Sequence, residues 1–126
     1  LFEASPYPGT DYDFFLAKLT GTDFFAVLDP TVKLTNSSGV DMQVCIWWRN
    51  SSGTGQTTGI CSAGVASNIV QPGWEGIHGC CSTASANGDP VEAKFSAPDA
   101  TGEALILARP VGGLGSCGTY RLDVHL

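Results

Sequence analysis

Alternation with a period of two runs through almost the whole chain, and it limits the possible folds more than any other feature. In "TYRLDVHL", Tyr120, Leu122, Val124 and Leu126 share one face, and Thr119, Arg121, Asp123 and His125 share the other. A strand with one dry and one wet side reads this way. "VDMQVCIWW" sets Val40, Met42, Val44, Ile46 and Trp48 against Asp41, Gln43, Cys45 and Trp47, and "VEAKF" turns Val91, Ala93 and Phe95 inward. Further strands are predicted over 12–19, 23–28, 31–35, 58–63 and 103–109, with Pro30 breaking the run between 23 and 35 because it lacks a ladder donor. No long segment places its apolar residues at helical spacing. Gly-, Ser- and Asn-rich turns separate these strands at fairly even intervals. The expected fold is therefore all-β, an antiparallel β-sandwich of jelly-roll kind, with a single domain over 11–126 and an N-terminal arm over 1–10.

Composition narrows the function classes. The 126 residues are 43% apolar, enough for one core, and only 14% charged, with a net charge of −6. That sign repels nucleic acid and anionic membranes, so neither is expected as a partner. No apolar run approaches the roughly eighteen residues of a membrane span. The chain begins at Leu1 rather than Met, which leads us to expect a processed form or a fragment whose export signal has gone.

Five cysteines among Gly, Ser and Thr point to an oxidising, extracellular or cell-surface location, with the periplasm as a variant. An odd number leaves one thiol over. Adjacent cysteines have Cα atoms about 3.8 Å apart, closer than ordinary bridges accept, so Cys80 and Cys81 are expected to have different partners. The layout suggests a hairpin bridge from Cys45 to Cys61. One of the vicinal pair, assigned here to Cys81, reaches Cys117, which leaves Cys80 as the free or otherwise bridged thiol; the choice within the pair stays open. Two rival readings of "GIHGCCST" are a zinc site built on His78, Cys80 and Cys81 and a redox-active vicinal disulfide. Zinc lacks a second pair of ligands, and no C-x-x-C supports redox chemistry.

"GLGSCG" matches G-x-G-x-x-G but opens a strand instead of a helix, so it reads as a turn. No motif assembles a nucleophile and a base, and no enzymatic activity is expected. Asp11 and Asp13 stand two apart at a strand start, where they would hold calcium or simply serve as solvated edge charges. Trp47 and Trp74 are candidates for stacking on a sugar ring, against the alternative that they pack around the Cys45 bridge.

Read in order, "DYDFF", "PTVKLTNSSGVDMQVCIWW", "GCC" and "EALILARPVGG…CGTYRLDVHL" resemble the bacterial pre-peptidase C-terminal domains and their cysteine-bearing relatives in secreted proteins. The resemblance covers most of residues 11–126. It implies a non-catalytic β-sandwich that serves exported or surface proteins as a binding or accessory module, with a protein partner or surface polymer. It also implies that no cofactor is required; some members of that family bind calcium through aspartates near the domain start, which correspond here to Asp11 and Asp13. Two other functions are carried beside it. One is a structural subunit of a surface appendage or multiprotein complex, with "LFEASPYPG" as a docking arm, and the other is a carbohydrate-binding module using Trp47 and Trp74.

Overall fold

A computed structural model describes residues 2–4, 12–19, 30–36, 41–50, 60–67, 71–83, 91–96, 102–112 and 120–125. These residues form strands β1 (Phe2–Ala4), β2 (Asp13–Leu19), β3 (Thr31–Asn36), β4 (Asp41–Asn50), β5 (Ile60–Ala63), β6 (Val65–Ser67), β7 (Gly79–Cys81), β8 (Val91–Ser96), β9 (Gly102–Gly112) and β10 (Tyr120–His125). Two antiparallel sheets pack face to face. Sheet I has the order β1-β10-β3-β8-β5 and sheet II the order β2-β9-β4-β7-β6. Among the described residues no helix is long and apolar enough to cross a membrane.

The inward alternation read from the sequence builds the core between the sheets. Met42, Val44, Ile46 and Trp48 of β4 meet Val32 and Leu34 of β3, Val91 and Ala93 of β8, and Tyr120 and Leu122 of β10, all buried. Register sets large residues beside small ones: Trp48 lies opposite Ala104 and Val44 opposite Ala108 on β9. A methyl group at Gly102 would come within 2.6 Å of the Trp48 ring, so the glycine makes room for the indole. At one edge the Tyr120 hydroxyl donates to Asp13 Oδ2, tying β10 to β2 across the sandwich.

Three short strands were not anticipated. "GCC" is strand β7 in sheet II, where the sequence reading has a loop junction, and "VAS" is β6 beside it. Phe2–Ala4, placed in the expected arm, pairs with β10. Three residues are too few for alternation to register. The predicted strand over 23–28 lies outside the described residues.

Candidate functional site

Cys80 and Cys81 are neighbours on β7, so their side chains leave opposite faces of sheet II. Cys80 points into the sandwich and bridges Cys61 on β5 of sheet I, with Cα atoms 5.4 Å apart. Cys81 points outward and bridges Cys45, its register partner on β4, with Cα atoms 4.0 Å apart. Next to that pair, Ser82 N–H donates to Val44 O at 2.8 Å and Val44 N–H donates to Ser82 Oγ at 3.0 Å. Hydrogen-bonded and non-hydrogen-bonded pairs alternate along an antiparallel ladder, so Cys45 and Cys81 occupy the closer, non-hydrogen-bonded kind.

The expected pairing is therefore corrected. Cys45 joins Cys81 instead of Cys61, and Cys80 is bridged rather than free. The expectation from their Cα spacing that Cys80 and Cys81 have different partners is met. The error lay in taking β5 for the hairpin mate of β4: β5 belongs to sheet I, and Cys61 meets the inward cysteine instead. Cys117 lies outside the described residues. The zinc reading loses its ligands, since both sulfurs are in disulfides and face opposite ways. His78 is exposed, and among the described residues no three metal-ligating side chains cluster. Asp11 is outside the described residues, and Asp13 accepts the Tyr120 bond.

The chain crosses between sheets at Gly64, which separates β5 from β6 with φ +103°. A Cβ there would lie 2.3 Å from Cys81 O, so position and conformation both call for glycine. The Cys61–Cys80 bridge fastens this corner.

Outside sheet II a second, smaller core surrounds the Cys45–Cys81 bridge. It comprises Cys45, Trp47, Trp74, Ile77, Cys81 and Leu107, with Leu105 packed against it. Residues 71–78 form its roof. Trp74 N–H donates to Gln71 O at 2.9 Å and Ile77 N–H to Trp74 O at 3.2 Å, giving consecutive turns that bury Trp74 and Ile77. Gly73 and Gly76 take the positive φ values these turns need. The exposed Glu75 carboxylate accepts Gly73 N–H at 3.0 Å; hydrogen bonds from its own backbone and from Gly73 hold its pKa below the ordinary carboxylate value. Arg49 sits 4.0 Å over the Trp74 ring, donates to Gly73 O at 3.1 Å and pairs with Glu103.

Trp47 and Trp74 are thus buried and offer no face to a sugar, which corrects their assignment as ligand-binding residues. The alternative reading, packing around the Cys45 bridge, is the observed one. Alternation marks Trp47 as outward, which it is; what no local pattern shows is that residues 71–78 cover it.

The roof does not extend over the β2 side. Along β2 and the residue before it, Tyr12, Phe14 and Leu16 project outward and are 52%, 50% and 50% exposed. Beside them on β9, Leu107 is buried and Leu105 partly so, while Val111 further along is exposed. A cation marks each end of the stripe. Lys18 is 68% exposed, 4.0 Å from a Glu103 already engaged by Arg49. At the other end, Arg109 Nε and Nη2 both donate to the neutral Gln43 Oε1, at 2.9 and 2.6 Å, and Gln43 Nε2 donates to Ser82 O at 2.8 Å. Among the described residues no carboxylate pairs with Arg109. The stripe offers apolar contact and positive charge. The sequence carried a signal for it: "DFFLAK" is apolar on both faces, which a strand with one wet face does not need.

Comparison of the chain with family models, with curated proteins and with solved structures finds no match.

Proposed function

We propose that this chain is a non-catalytic extracellular β-sandwich acting as a binding or accessory module of exported or surface proteins, and that it meets its partner through the outer face of sheet II. One observation carries the reading. Half of that face is sealed by residues 71–78, while the other half leaves Tyr12, Phe14 and Leu16 in water. A contiguous exposed apolar patch costs solubility unless something covers it, and such patches mark interaction sites. Two disulfides are consistent with an oxidising compartment, where a small module of this kind keeps its shape.

The test is a photo-crosslinking residue at Phe14, compared with one at Lys33 on sheet I, each exposed to the native exported fraction. A discrete adduct from position 14, absent from position 33 and lost on Leu16→Asp, is the expected result. Equal labelling from both positions, or none from position 14, overturns the assignment of this face.

A further inference from the structure

We propose that the partner presents an extended, acidic segment to the Tyr12–Phe14–Leu16 stripe, its carboxylates seated on Arg109 and Lys18. This rests on the binding-module reading and adds the chemistry of the partner.

Width argues for an extended segment. The exposed apolar residues of β2 form a single row, because Leu107 in the adjacent row is buried and Leu105 is partly so. Strands lie about 4.8 Å apart, so the row is narrower than the ~10 Å of a helix with its side chains. Length and charge argue for acidic ends. Phe14 pairs with Leu107 and Asp13 with Ala108, which sets Arg109 alongside position 12, at the opposite end of the stripe from Lys18. Six residues at about 3.4 Å each place the two cations ~20 Å apart. A facing extended segment then brings carboxylates at its first and seventh positions to the two cations and apolar side chains at its third and fifth positions to the stripe, all on one face.

The charges are available for this. The chain is net −6 with six Lys and Arg, yet Lys18, Arg49 and Arg109 all lie on this face, beside the carboxylate of Glu103, which pairs with Arg49 and stands 4.0 Å from the mostly exposed Lys18. Arg49 is committed to Glu103 and the Trp74 ring, whereas Arg109 is held in place by an uncharged amide and, among the described residues, pairs with no carboxylate. Gln43 fixes the guanidinium without neutralising it. A polysaccharide fits less well, because Leu16, Leu105 and Val111 offer nothing to sugar hydroxyls.

The test titrates the 126-residue chain with synthetic peptides at low ionic strength, following the methyl and aromatic resonances of Tyr12, Phe14 and Leu16. Glu-Ser-Leu-Ser-Phe-Ser-Glu is expected to shift these signals, and its Lys-ended counterpart to bind about tenfold more weakly, an effect that salt reduces. Arg109→Glu is expected to invert the preference, with Lys18→Glu acting in the same direction. Equal affinity for both peptides, shifts confined to sheet I, or stronger binding of polygalacturonate at the stripe overturns the proposal. Silence toward every peptide at millimolar concentration also overturns it, and in that case an adduct from position 14 would still support the binding module itself.

Discussion

Removing the bridge between the sheets tests the corrected pairing and its energetics together. Cys61 and Cys80 are separated by 19 positions and Cys45 and Cys81 by 36. On loop-closure entropy alone these would contribute about 3.2 and 3.8 kcal/mol. The first loop is nested within the second, so the contributions are not independent. With Cys61–Cys80 closed, the path from Cys45 to Cys81 shortens to the run up to Cys61, across the bridge and one residue on. The outer bridge then contributes about 3.2 kcal/mol instead of about 3.8, since the unfolded chain has less freedom left to lose. Replacing Cys61 and Cys80 together by alanine is therefore expected to cost about 3 kcal/mol plus a small penalty for the void at the buried Cys80. For a domain of this size that is roughly a 10–15 °C fall in Tm. Urea titrations supply the free energy, and the m-value should rise because the unfolded state is less constrained. Peptide mapping without reductant checks the premise. Recovery of a Cys45–Cys61 or Cys81–Cys117 peptide refutes the pairing, and a loss under 1 kcal/mol with unchanged m refutes the entropic account.

Other outcomes follow from single contacts. Gly79→Ala puts a methyl group 2.4 Å from Trp47 Nε1 in a packed site and should destabilise by about 1–3 kcal/mol, read by denaturant melts and Trp fluorescence. The pKa of Glu75 is lowered in the fold, so its contribution is present above the ordinary carboxylate value and lost as pH falls through the lower folded value. Trp74 emission should accordingly change on acidification, and Glu75→Gln should remove that acid transition. With four cysteines paired, alkylation of the unfolded, unreduced chain should label one residue, Cys117, and reduction should add four hydrogens to the intact mass.

Much of the sandwich was legible because one-sided burial imprints alternation on any strand long enough to show it. β3, β4, β8 and β10 follow from their apolar spacing, and β9 from a continuous strand-sized apolar run. What escaped has physical reasons. β7 contributes "GCC", whose place in sheet II depends on two sulfur bonds and on Trp47 lying over Gly79. The divergence of Cys80 and Cys81 could be reasoned from backbone geometry, whereas their partners depend on which sheet β5 joins. Trp47 reads as an outward residue and is one, yet it is fully buried because a segment distant in sequence covers it. The exposed stripe on β2 was visible as a strand, and the apolar residues on both faces of "DFFLAK" were its one trace as a surface, since exposure is a property of what does not pack there.

The nested bridges also govern how the chain answers a pull. Tension applied at residues 1 and 126 passes directly from Cys45 to Cys81 through the disulfide, so the stretch between them, a sequence separation of 36, feels no force. At about 3.4 Å per residue, ~120 Å of chain stays stored while the bridge holds. That stored stretch includes β5, β6, β7 and the roof over Trp47. Under tension the chain would therefore yield first in the strands outside the bridge, keeping the disulfide-bounded segment short after the rest has been drawn out.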